Sequence, residues 1–145
     1  MACADGNCPA ERDPTHICTE DKLAEGSVAW DKKGLGQFFT PPELAKFTAH
    51  ELWKHLSKTK LRVLDPGAGI GMLSAAFVET VVLSSADKAA VQMHIELYEI
   101  DPATCSVLSG NMKQVATWAA SFGSVVTYIV HNADFLRASV DASIT

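Results

Sequence analysis

The stretch LRVLDPGAGIG, residues 61–71, constrains this chain more than any other. Leu61 to Asp65 reads as a short apolar strand that ends on an acid, and glycines at alternate positions follow at once. Glycine permits a tight turn and lets a ligand come close to the backbone. GMLSAAFVETVVL, residues 71–83, then reads as a helix with Met72, Leu73, Ala76, Phe77 and Val81 on one face. The first turn of such a helix points unpaired N–H groups and a positive dipole end at whatever the loop holds.

The rest of the chain extends this plan. HIELYEID, residues 94–101, alternates like a strand and stops at Asp101-Pro102. Asp101 is placed to cap the next helix and Pro102 to open it. Leu108, Met112, Val115, Trp118, Ala119 and Phe122 form the stripe of that helix, with Gly123 as its stop. VVTYIV, residues 125–130, is a β-branched strand followed by HNADFL, and SSADKAAVQM, residues 84–93, is an irregular or partly helical connection. Ahead of the first strand, GQFFTPPELAKF, residues 36–47, predicts a helix over Pro41 to about Leu56. Thr40 is its expected cap, Pro41 its first residue and Glu43 the third residue after the cap. Phe39 and Leu44 make the expected staple, and Leu44, Phe47, Leu52, Trp53 and Leu56 the expected apolar stripe. The order is helix, then strand-helix-strand-helix-strand. It predicts an α/β fold with a parallel sheet and right-handed crossovers, whose ligand sits at the carboxyl ends of the strands.

Composition narrows the function. The chain has 145 residues, a prior of one domain, and its 48% hydrophobic content allows a sizeable core. A net charge of -5 argues against a chain that grips nucleic acid by itself. No apolar run reaches the length of a membrane span, and MACADGNCPAERD lacks the pattern of a secretory signal. A cytoplasmic protein with no membrane partner is expected. Residues 1–27 read as a flexible arm and 28–145 as the folded domain. Cys3, Cys8 and Cys18, with His16 beside the last, do not have the spacing of a standard zinc site. Reduced thiols and no metal are expected there.

Each strand end carries an acid. Asp65 can receive an ammonium group, which S-adenosylmethionine offers, whereas it would repel a pyrophosphate. The dinucleotide fingerprint fails as well, because Met72 or Ser74 stands where its last glycine or alanine belongs. Glu99 is placed to accept from ribose hydroxyls. Asp101 is the competing acid, but capping is its better use. Asp134 can accept from the exocyclic amine of adenine, and Phe135 can pack on the base. The bland alternatives are a strand-helix turn with no ligand, a solvated acid, and a turn aspartate beside a core phenylalanine.

GQFFTPPELAKF, LDPGAGIG, YEIDP and NADFL, in this order, resemble the cofactor half of an N6-adenine DNA methyltransferase. The similarity is to the γ-type order that opens with a Gly-(Gln/Arg)-x-x-Thr-Pro motif, as in type I modification subunits and fused restriction-modification enzymes. It covers Gly34 to about Leu136. LDPGAGIG alone fits many methyltransferases, and GQFFTPPE ahead of it is far more specific. The resemblance implies a Rossmann-like S-adenosylmethionine-dependent methyltransferase fold, here an incomplete parallel sheet with flanking helices. It places Phe39 and Thr40 over the methionine end of the cofactor, with Asp65, Gly67, Ala68 and Gly69 around it. It puts Glu99 on the ribose, Ile100 against the adenine, and Asp134 and Phe135 on the adenine amine and ring.

The family transfers its methyl group with an Asn-Pro-Pro-Tyr or Phe motif after the next strand, on an adenine flipped out of the duplex. No such motif stands in this sequence, whose one Pro-Pro is Pro41-Pro42. DNA is therefore expected to be met through regions absent from this chain, and a complementing subunit is a possible partner. Readings that stay open are a non-catalytic cofactor-binding or docking module and a methyltransferase with a non-DNA substrate. A nicotinamide enzyme is more distant. In this fold a fourth strand pairs beside LRVLD, and without it an apolar edge lies open. The isolated chain is thus expected to aggregate or melt without cooperativity, and a soluble monomer with a sharp thermal transition would contradict that expectation.

Overall fold

Three strands, β1 (Lys60–Asp65), β2 (Gln92–Glu99) and β3 (Val125–Asn132), form one sheet in the order β1-β2-β3 with both pairs parallel. The computed structural model describes residues 14–18, 39–85 and 90–138. Parallel neighbours need a crossover. Helix α3 (Met72–Ser85) carries the chain from β1 to β2, and α4 (Pro102–Ser121) carries it from β2 to β3. Two further helices, α1 (Pro14–Ile17) and α2 (Pro42–Trp53), precede the sheet in sequence. This is the Rossmann-like α/β arrangement expected from the sequence. Asp65 lies opposite Leu97, and Glu99 opposite Asn132, so the strands end at a common edge.

One face of the sheet builds the core. Leu61, Met93, Ile95, Leu97 and Val126 are buried there, with Val63, Tyr128 and Val130 packed against them. Leu108, Met112, Val115 and Ala119 bring the α4 stripe to the same layer. Nine of the fourteen residues of α3 are buried, as befits a helix that is apolar on most sides. It touches α1, α2 and α4. Lys46 on α2 pairs with Glu79 on α3 at 3.6 Å.

The opposite face carries Arg62, Leu64, His94, Glu96, Thr127, Ile129 and His131. Glu96 gathers the charges, with Arg62 at 3.6 Å, His131 at 3.3 Å and His94 at 3.9 Å. Leu64 and Ile129 stay about half exposed, at 53% and 46%. Among the described residues no helix covers this face, and β1 stands at the sheet edge. No helix among them is long and apolar enough to cross a membrane.

Several expectations need correction. Thr40 does not cap α2. Pro41 is the cap residue, extended at φ -60 and ψ 148, and no side chain caps the helix. A residue before proline is kept out of the helical region, so Pro42 forces Pro41 to stay extended and moves the start one residue on. Glu43 then falls out of capping-box register. The expected apolar stripe turns outward: Leu44, Phe47 and Leu52 are at least half exposed, whereas Ala45 and Ala49 are buried. Helix α2 closes on α3 through small residues, with Trp53 and Leu56 only partly buried. It ends at Trp53, not Leu56. Phe122 leaves the α4 stripe to become its C-cap, 38% exposed and with its ring 4.8 Å from that of Trp118.

The element bounds shift as well. The helix after the glycine loop runs on to Ser85, β2 starts at Gln92 and ends at Glu99, and β3 extends to Asn132. Within the stretch expected as a flexible arm, residues 14–18 instead enter the core, with Thr15, Ile17 and Cys18 buried against α3 and α4. Cys3 and Cys8, like Gly36, Gln37 and Phe38 of the GQFF segment, lie outside the described residues.

The cap of α4 is as expected. Asp101 Oδ2 accepts from the Thr104 N–H at 2.8 Å and from its hydroxyl at 2.5 Å, and Gly123 takes φ 75 just past the helix end. Asp101→Ala should cost about 1 kcal/mol in urea unfolding. Asp101→Asn should keep most of that stability, because asparagine caps nearly as well.

Candidate functional site

The carboxyl edge of the sheet opens into a cleft of about 430 Å³, within the range of small-molecule sites. All ten residues singled out from the sequence line it: Phe39, Thr40, Asp65, Gly67, Ala68, Gly69, Glu99, Ile100, Asp134 and Phe135. Sequence reasoning had no reason to add Pro66, Ile70, Met72, Leu73, Tyr98 and Ala133, which line it too. Their signal is adjacency, since each neighbours a motif residue or opens α3.

The glycine loop is held from four directions. The Ala68 N–H donates to the Tyr98 carbonyl at 2.9 Å, and the Gly69 N–H to Glu99 Oε2 at 3.0 Å. Asn111 Nδ2, on α4, donates to the Ile70 carbonyl at 2.9 Å. Ser74, in the first turn of α3, donates its hydroxyl to Asp65 Oδ2 at 2.7 Å. Asn111 and Ser74 are buried and were not anticipated. A polar residue within an apolar helical run was the one available signal.

Two glycines differ in what they require. Gly69 has φ 55, and a Cβ there would stand 3.0 Å from the Phe39 ring, so the loop and the residue ahead of α2 fit face to face. Gly67 has no positive φ, and among the described residues a Cβ would meet nothing within 4 Å. None of those residues demands glycine at 67, whereas close approach of a ligand to the backbone would.

The acids are held differently. Glu99 is 7% exposed, with Oε2 on Gly69 and Oε1 accepting from the Asp101 N–H at 2.9 Å. Asp134 Oδ1 accepts from the Leu136 N–H at 2.9 Å, and Arg137 stands 3.7 Å from Oδ2. That carboxylate thus also starts the helical residues 135–138. Phe135 meets Tyr98 edge-on at 5.1 Å, and Tyr98 stacks on His131 at 4.3 Å. Thr40, released from capping, makes no hydrogen bond through its hydroxyl among the described residues. Ile100 leaves 55% of its surface exposed at the cleft. The arrangement offers carboxylate acceptors, open loop backbone and apolar walls, the chemistry for a ligand with an ammonium group, hydroxyls and a flat ring. No cluster of three metal-ligating side chains occurs among the described residues.

Residues 25–115 match the model of a family described as N-6 DNA methylase. The chain is also 35% identical over 82 residues to the type II methyltransferase M.BsuBI of Bacillus subtilis. That alignment takes in 57% of this chain and 15% of the relative, so the chain spans only a small part of it. Asp134 and Phe135 lie beyond the matched residues.

Beneath the cleft, Cys105 is buried and donates its thiol to the Glu99 carbonyl at 3.2 Å. Burial pushes this thiol up from its ordinary range; Glu99 and Asp101 add to the rise and Asn132 opposes it. Such a thiol contributes stability below its unfolded pKa, and that contribution is lost as pH rises through the folded value. Stability should therefore fall on the alkaline side. Iodoacetamide should label Cys105 at least about tenfold more slowly in the folded chain than in urea, since the thiolate is the nucleophile. Peptide mass spectrometry over time reads this directly.

Proposed function

The chain belongs to the N-6 DNA methylase family, and from that premise we propose that it is the S-adenosylmethionine-binding part of an enzyme that methylates N6 of adenine in DNA. We place it, with the type I and fused enzymes that its sequence resembles, in a restriction-modification system. The similarity to a type II methyltransferase supports the same assignment.

The observation that carries the proposal is the convergence of Asp65, Glu99 and Asp134, each at or just past the end of a different parallel strand, on one cleft beside an open glycine loop. The residues present suit the cofactor. Asp65 would hold the ammonium group, and the Gly67 backbone is open to the methionine end. Glu99, at the end of β2, would accept from the ribose. Ile100 and Phe135 would wall the adenine, and Asp134 would accept from its amine. Phe39 and Thr40 would close over the methionine end. Bound there, the cofactor supplies a methyl group on a sulfonium, electrophilic enough for transfer to an amine.

None of the residues named is catalytic on the acceptor side. The sequence contains no Asn-Pro-Pro motif, and Pro41-Pro42 serves as the cap and first residue of α2. The acceptor adenine would need that motif and a basic DNA-binding surface from elsewhere, in keeping with the charge of -5.

Titration calorimetry should show S-adenosylmethionine binding to the 145-residue chain. Asp134→Ala should weaken it by about tenfold or more, the scale of a lost hydrogen bond to a charged group. No binding by the folded wild type would end the proposal. The chain by itself should not incorporate labelled methyl into DNA, and incorporation would show that it carries its own acceptor machinery.

A further inference from the structure

Ser74 is 3% exposed and sits in the first turn of α3. Serine and threonine inside helices usually turn the hydroxyl back to the carbonyl four residues earlier. Among the described residues three do so: Thr48 to Leu44, Thr80 to Ala76 and Thr117 to Lys113, all at 2.8–2.9 Å. Ser74 does not. It is the third residue of the helix, so Ile70, four residues back, lies before the helix, where its carbonyl accepts from Asn111 Nδ2. The Ser74 hydroxyl is directed to Asp65 Oδ2 at 2.7 Å, across the loop from the end of β1.

Packing does not require that hydroxyl. Ala75 and Ala76 beside it are fully buried, and alanine is a good helix former that would suit position 74. Asp65 lines the cleft, and among the described residues its side chain takes no other protein donor than Ser74. One carboxylate oxygen is therefore tethered, and the other keeps its lone pairs.

We infer that Ser74 is a positioning residue for the amino-acid end of the cofactor, tethering Asp65 Oδ2 so that Oδ1 meets the ammonium group. Asn111 holds the Ile70 carbonyl of the same loop from α4. The inference rests on the S-adenosylmethionine reading of the cleft and goes beyond it, because it predicts which part of the ligand senses Ser74.

The test uses two ligands on the full chain: S-adenosylmethionine, and methylthioadenosine, which keeps the nucleoside but lacks the ammonium and carboxylate. Ser74→Ala should weaken S-adenosylmethionine by about tenfold, the scale of a lost charge-assisted hydrogen bond. Methylthioadenosine binding should stay within about twofold, which also reports that the variant is folded. With Asp65→Asn already in place, Ser74→Ala should have little further effect, as a coupled pair requires. Equal weakening of both ligands would assign Ser74 a purely structural role and overturn the inference. Unchanged S-adenosylmethionine binding in Ser74→Ala would overturn it while the cofactor reading stands. If the wild-type chain binds neither ligand, that reading fails, and the inference with it.

Discussion

The carboxylate of Glu99 is the interaction on which the site depends. Each of its oxygens accepts a backbone N–H, one from Gly69 in the first strand-helix loop and one from Asp101 at the start of α4. A nearly buried charge is costly unless it is hydrogen-bonded, and charge-assisted bonds are the stronger kind. One side chain at the end of the central strand thus ties the glycine loop to the start of α4. The glycine loop can then present its backbone to the cleft without being held there by bulk. Ser74 and Asn111 add two smaller ties to the same loop.

The sheet that supports this edge is asymmetric. Parallel sheets are usually covered on both faces and read as continuous apolar strands. Here the strands alternate. Met93, Ile95 and Leu97 face the helices, while His94, Glu96 and Tyr98 point the other way. The exposed face is polar at its centre, where Glu96 draws in Arg62 and two histidines, and apolar at its flanks, where Leu64 and Ile129 stand. A polar centre lowers the cost of exposing such a face to water, and among the described residues the apolar flanks and the unpaired edge of β1 keep part of that cost.

Much of the fold was legible because its signals are local. Asp101-Pro102 and Gly123 mark the ends of α4 through cap and turn chemistry that needs only neighbouring residues. That these acids would share one cleft was legible for a related reason: a parallel α/β order brings strand ends to one edge. The start of α2 was misread because two prolines in a row compete, and the second prevents the first from being helical. Its stripe was misread because periodicity says which residues share a face but not which face is buried. Small residues won, as Ala45 and Ala49 let α2 lie close to α3.

The sequence by itself determined the parallel order, the cap of α4, the glycine loop and the acids, since each follows from spacing and from backbone preferences within a few residues. Only the tertiary structure decided how those acids are held. Glu99 clamps Gly69, Ser74 reaches back to Asp65, and Asn111, on another helix, holds the Ile70 carbonyl. Hydrogen bonds between residues 30 and 41 positions apart leave no trace in local pattern. They exist only once packing has brought α3, α4 and the strand ends together.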